Sequence, residues 1–251
     1  MTRHPSATSA VLGLCSYTHD SAAALILDGN LVGFAEEERL VGDKHTSAYP
    51  TQAVSWLLNE AGIAPDQVTA VGYNFQTHRY LDALAQVPGQ LIHPMTRRRA
   101  LPRARSFIRV ARRTRARLHE LSTRFPRARV TAVQHHRAHG LYAFASSAYE
   151  DAAVLVTDSL GELQTTTIGH AHRALTGGCE YRIVEAIDDP ASLGYAYGAV
   201  TEHLGWRRGD EEGTVMALAA FGDPARFRDL FTRAIPITDT GFALDAEMLP
   251  L

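Results

Sequence analysis

The segment Gln134-His135-His136-Arg137-Ala138-His139-Gly140 places three imidazoles within five residues. On a helix, His135 and His139 would share one face, and neutral imidazoles so placed can both reach one metal ion. A zinc protease needs Glu directly after the first histidine. His136 stands there, so the base of that chemistry is missing. The spacing alone also suits an ordinary surface or core pair. Asp158 strengthens the metal reading, because it follows the apolar run 152–157 at a glycine-containing turn, where a carboxylate can point into a cleft. Two imidazoles and one carboxylate leave open positions on iron, with manganese and zinc as alternatives. The competing role for Asp158 is to cap the Leu160-Gly161 turn.

A separate centre is Tyr17-Thr18-His19-Asp20-Ser21. His19 has the near-neutral imidazole of a general base toward a substrate hydroxyl. Ser21 and nearby backbone N–H groups could hold an anion. A polar turn without chemistry explains the same residues.

These groups must be positioned by strands and turns. Residues 11–16, 21–27 and 31–36 read as three strands, with Asp28-Gly29-Asn30 as a hairpin turn. Residues 51–61 carry a helical apolar pattern (Ala53, Val54, Leu57, Leu58, Ala61) closed by Gly62, and 68–74 reads as a further strand. A second series begins at Asp151. It comprises strand 152–157, the turn Ser159-Leu160-Gly161, strand 164–169 rich in Thr, the turn Thr176-Gly177-Gly178, and strand 181–187. Helices are expected at 193–204 and 225–234. Two halves that each open with a three-stranded meander predict an α/β chain of the actin, sugar-kinase and heat-shock-ATPase type. The first half would cover 1–150 and the second, incomplete, 151–251. In that fold a nucleotide lies in the cleft between halves, an expectation by fold analogy. The arginine-rich stretch 97–129 reads as a solvated helical insertion, with a broken apolar stripe of Phe107, Val110, Ala111, Leu118 and Leu121. A polyanion-binding face is the alternative, but no aromatic-and-glycine RNA motif accompanies it.

Composition bounds the classes. With 45% hydrophobic residues the chain can bury a real core, and its net charge of -2 argues against a generic nucleic-acid binder. Lys44 is the single lysine. Cys15 and Cys179 lie far apart and form no CxxC pair, so both are expected as buried thiols in a reducing cytoplasm. No signal-peptide h-region opens the chain, and no apolar run is long enough to span a bilayer.

In order, the chain shows HDSAAAL from His19, EEER from Glu36, Lys44-His45, HHRAH from His135, DSLGE from Asp158 with Thr165-Thr166, and EGTVMALAAFG from Glu212. This series resembles the N-terminal part of the O-carbamoyltransferases of nodulation-factor and antibiotic-tailoring secondary metabolism. The resemblance implies a transferase whose actin-like domain takes carbamoyl-adenylate, made from carbamoyl phosphate and ATP by a separate C-terminal domain. The actin-like domain then passes the carbamoyl group to a hydroxyl of a small molecule. It implies His135, His139 and Asp158 as metal ligands and His19 as the residue assisting the acceptor hydroxyl. Gly161, Glu162, Glu212 and Gly213 fall in segments near the nucleotide. Ser159 stands where the family has Gly, Leu163 where it has an aromatic residue, Thr214 where it has Lys, and Ala217 and Ala220 where it has Gly and Pro. The family domain continues beyond Leu251 with a glycine-rich loop and a further Asp ligand. A second polypeptide supplying that half is therefore the expected partner. The alternative is a non-catalytic metal- or nucleotide-binding partner, or a decayed member.

Overall fold

The computed structural model describes residues 9–16, 19–92, 97–175, 177–245 and 247–249. Tyr17, Thr18 and Thr176 of the expected turns therefore lie outside the described residues. The chain divides into two compact units, the first running to His135 and the second starting at His136.

The first unit is built on a five-stranded sheet of order β3-β2-β1-β4-β5. Strand β1 (Ala10–Cys15) buries Ala10, Leu12 and Leu14 on one face, the period-2 alternation of a strand. It pairs antiparallel with β2 (Ala22–Leu27), which pairs antiparallel with β3 (Asn30–Glu36). The β2–β3 turn places Asp28 and Gly29 at φ 47° and 83°. Positive φ at both central residues matches the right-handed twist of the strands, as in a type I′ hairpin. Parallel strands β4 (Ala70–Tyr73) and β5 (Arg129–Ala132) extend the other edge. Short helix α1 (Glu37–Val41) follows β3. Helix α2 (Thr51–Ala61) lies on β2 and β3, burying Ala53, Val54, Leu57 and Leu58 and ending at Gly62 with φ 63°. A Cβ on Gly33 would sit 3.0 Å from the Trp56 ring, so the glycine lets this helix approach. Helices α3 (Thr77–Asp82) and α4 (Val87–Ile92) lead to α5 (Arg97–Arg124).

Helix α5 packs along one stripe and leaves much of its remaining surface to solvent. Phe107, Ala111, Thr114 and Leu121 recur at helical spacing and are buried, with α3, α4 and β5 against them. Arg105, Arg109, Arg112, Arg113 and Arg115 occupy the exposed side. The apolar stripe looks broken in sequence only because Thr114 fills one of its positions.

The second unit has helix α6 (His135–Ala145, His136 onward) against an antiparallel meander of β6 (Asp151–Gly161), β7 (Gln164–Arg173) and β8 (Cys179–Asp188). Phe144, Val154, Val156, Ala171 and Tyr181 form its core. Tyr181 fills a slot that only glycines permit, since a Cβ on either Gly140 or Gly169 would lie 2.5 Å from its side chain. The outward face of the meander leaves Leu155, Ile168 and Val184 exposed. Helices α7 (Leu193–His203), α8 (Glu212–Leu218) and α9 (Arg228–Ala234) and the ribbon β9 (Ile237–Thr238)–β10 (Gly241–Phe242) complete the unit.

Both expected meanders are present. The first is extended by the parallel strands β4 and β5; the second is extended by none among the described residues. Three expectations shift. The turn anticipated at 159–161 is instead the irregular end of β6, whose register shifts between Thr157 and Gly161, and the reversal falls at Glu162-Leu163. Glu162 takes φ 58°, and the Asp158 carboxylate accepts from the Ser159 N–H at 2.6 Å, a local bond that competes with the strand ladder. Helix α8 went unforeseen because Gly213, Thr214 and Val215 are weak helix formers. Cys15 and Cys179 are not joined in a disulfide and are only partly buried. No helix of the described residues is long and apolar enough to cross a membrane.

Candidate active site

His135 opens α6 and His139 follows one turn later, so helical periodicity alone brings them to one side. Asp158 sits at the irregular end of β6. The ligand atoms of these three residues all lie within 4.8 Å of one another, and His139 Nε2 is 3.8 Å from Asp158 Oδ2. His139 is about half exposed, so the cluster is open to solvent. The His135 ring stacks on Phe75 at 4.9 Å and 9°, which fixes its plane. His136, by contrast, is fully buried with Nδ1 at 3.1 Å from Thr167 Oγ1. It is a core histidine, and its burial explains why the motif carries three imidazoles where a metal pair needs two. The donor set, two imidazoles and a carboxylate with room beside them, suits iron, manganese or zinc.

Asp158 is held by its surroundings as well as by its own turn. Ser192 caps α7 by accepting from the Tyr195 N–H at 3.0 Å and donates its hydroxyl to the Ser159 carbonyl at 2.7 Å. A Cβ on Gly194 would be 2.5 Å from Ser159 Oγ, so α7 presses directly on the bulge that carries Asp158. Gly161 and Glu162 continue this turn, and Glu162 is fully buried. Glu212 and Gly213 begin α8; the Glu212 carboxylate accepts from the Gly209 N–H at 2.6 Å. A Cβ on Gly213 would meet nothing within 4 Å, leaving open space beside that backbone.

The second centre lies in the first unit. His19 is 72% exposed, and its Nδ1 is 2.7 Å from Asp20 Oδ2. The other Asp20 oxygen is 2.9 Å from His45 Nδ1, while the Glu38 carboxylate accepts from the His45 N–H. Asp20 adopts φ 62° and His45 φ 55°, the left-handed region that Asp and His enter more readily than most residues. Burial alone would raise the Asp20 carboxyl, but the hydrogen bonds and positive charge of His19 and His45 outweigh it and hold the group below its usual range. Ser21 is fully buried and, among the described residues, its hydroxyl has no hydrogen-bond partner.

Sequence reasoning singled out His19 but gave no part to Asp20, His45 or Glu37. The Glu37 carboxylate is buried and accepts from the Gln52 and Ala53 N–H groups at 3.0 and 2.9 Å, capping α2 from a distance. Arg39 pairs with Glu36 and Glu38. The run Glu36-Glu37-Glu38-Arg39 is therefore partly a folding device. Its only sequence signal was two acidic residues at α1 and an uncapped helix start beyond Pro50.

A mixed α/β chain with a His-His-Asp cluster at a helix and a bulged strand is what fold and site define. The chain belongs to the Carbamoyltransferase N-terminus family, which it matches over residues 10–239. It is 32% identical over 222 residues to the uncharacterized protein sll1178 of Synechocystis sp., covering 85% of this chain and 35% of that protein. It is 28% identical over 226 residues to the nodulation protein NolNO of Sinorhizobium fredii, covering 90% of this chain and 31% of that protein. The chain thus spans about a third of the length of the curated relatives it matches. Among solved structures it is similar to YeaZ from Pseudomonas aeruginosa at 16% identity and a TM-score of 0.36, covering 85% of this chain and 92% of that one.

Proposed function

We propose that this chain is the acceptor-side, actin-like part of an O-carbamoyltransferase, with halves at about 1–150 and 151–251. It would act with a second polypeptide that makes carbamoyl-adenylate from carbamoyl phosphate and ATP. The observation that carries the reading is the convergence of His135, His139 and Asp158 within 4.8 Å in a chain that matches the family over residues 10–239. These residues would hold one divalent ion, which when bound supplies a Lewis acid for the carbamoyl carbonyl. Asp158 is kept in place by the Ser159 N–H, and His135 by its stack on Phe75.

His19 is the base. With Nδ1–H donated to Asp20, its Nε2 lone pair is left to accept the proton of a substrate hydroxyl. The acceptor oxygen forms its bond to the carbamoyl carbon, the bond from that carbon to the phosphate oxygen breaks, and AMP leaves with the electron pair. The open space beside Gly213 would receive the nucleotide through its backbone, while Gly161 and Glu162, both buried, would serve to shape the end of β6. Thr214, in place of the family's Lys, favours a second reading in which the chain binds but does not transfer.

Metal content of wild type and His139→Ala, measured after identical loading with Fe²⁺ or Mn²⁺, tests the ligand set. The variant is expected to lose the ion, and equal content in both would refute it. Carbamoyl transfer to a hydroxyl acceptor, with the C-terminal portion of a family member supplied in trans, separates the two readings.

A further inference from the structure

A second cluster of metal-ligating groups lies on the outward face of the β6-β7-β8 meander. His170 and His172 are two apart on β7, and a strand's period of two points them to the same face. Asp151 on β6 and Glu180 on β8 stand directly opposite His172 on the flanking strands. Cross-strand partners share a face, so the register alone gathers two imidazoles and two carboxylates. His170 Nε2 is 2.9 Å from Asp151 Oδ2, and His172 Nε2 is 3.5 Å from Glu180 Oε2. The two rings stack at 5.6 Å. One ligand atom each from Asp151, His170 and His172 all lie within 4.8 Å of one another.

The geometry points to a second, surface metal site formed by Asp151, His170 and His172 with Glu180 at its flank, suited to a zinc-class divalent ion. Zinc bound tetrahedrally at about 2.0–2.1 Å holds its ligand atoms roughly 3.3 Å apart. The observed spacings straddle that value, and side chains this exposed can close the difference by small rotations about χ1 and χ2. Imidazole with carboxylate is the donor mixture zinc, nickel and copper take, whereas magnesium and calcium prefer oxygen alone. Arg182 stands opposite His170 on β8 and brings one positive charge, against the two negative charges of Asp151 and Glu180. A bound ion would tie the three strands together at the end of the meander where Asp151 begins β6 and Cys179 begins β8. Exposed His–carboxylate pairs by themselves contribute little to stability, so fold stability does not require this gathering. The site shares no residue with His135, His139 and Asp158 and does not rest on the transfer reading.

Equilibrium dialysis of the full chain against Zn²⁺ near neutral pH, followed by elemental analysis, tests the inference. The variant His170→Gln/His172→Gln is expected to bind one zinc equivalent fewer than wild type, with the far-UV spectrum and the metal-free thermal midpoint unchanged. His135→Ala/His139→Ala should keep that equivalent. Asp151→Asn, which preserves shape, should weaken zinc binding at this site at least tenfold, and it decides the matter should the double variant lower the midpoint. Zinc stoichiometry and affinity unaltered by both the double variant and Asp151→Asn would overturn the site.

Discussion

Replacing Glu37 separates the folding content of the acidic run from its chemistry. The Glu37 side chain is buried, and its two oxygens take the Gln52 and Ala53 N–H groups, donors that the first turn of α2 cannot satisfy internally. Glu37→Ala removes both bonds and leaves two orphaned donors, that of Ala53 buried and that of Gln52 partly so. Loss of an ordinary N-cap costs about 0.5–2 kcal/mol, and a hydrogen bond to a charged group contributes about 1.5–3 kcal/mol. Two such bonds, offset by relief from burying a carboxylate, place the net loss at about 2–3 kcal/mol. Glu37→Gln keeps one acceptor oxygen, so it should lose roughly half as much. Urea unfolding followed by far-UV circular dichroism measures both. The ordering wild type, Gln, Ala should appear in the midpoints with the slope unchanged, and metal content should not differ among the three. An Ala variant within about 0.5 kcal/mol of wild type would refute the capping role, since that is the scatter of ordinary surface substitutions.

Gly140→Ala should cost about 1–3 kcal/mol by driving a methyl into Tyr181, whereas Gly213→Ala, which meets open space in α8, should be neutral or gain up to about 1 kcal/mol; chemical denaturation compares them. In an enzyme reconstituted with the C-terminal portion, His19→Asn should lower turnover about 10²–10⁴-fold with little change in thermal midpoint, because the side chain is 72% exposed and exposed ion pairs contribute little to stability. Asp20 is held below its usual value of about 3.9, so its stabilising bonds are complete above that value. They are lost as pH falls through the lowered folded value, and Asp20→Asn should flatten that part of the stability–pH curve.

Much of this architecture was legible in the sequence because it rests on local rules. Strand alternation at Ala10, Leu12 and Leu14, the Asp28-Gly29 reversal and the α2 face ending at Gly62 each announce themselves within a few residues. The i, i+4 spacing of His135 and His139 was equally local. What escaped depends on contacts distant in sequence. Glu37 caps a helix that starts 14 residues later, and Asp20 joins His19 to His45 across a turn and a hairpin. Nothing near residue 20 indicates that its carboxylate has two imidazoles to serve. In the arginine-rich helix the stripe of Phe107, Ala111 and Leu121 is legible, whereas Thr114, a polar residue that takes an apolar place in it, is not. The bulge at 158–161 was read as a turn because Ser, Leu and Gly there do not reveal that the reversal is completed by Glu162 at positive φ.

The slot around Tyr181 has a consequence for how the chain can vary. Gly140 lies on α6 and Gly169 on β7, and each stands against the same phenol ring. A side chain at either position demands a smaller residue at 181, and a smaller residue at 181 with both glycines retained opens a void beside Phe144 and Val154. The three positions are thus coupled in substitution although two of them never touch chemistry. In a set of related chains they should change jointly or stay fixed together, and a double replacement such as Gly140→Ala with Tyr181→Leu, which removes the ring that the methyl would strike, should cost less than the sum of its parts. Because α6 also carries His139, drift at this distant tyrosine would register as altered spacing between an imidazole and a carboxylate.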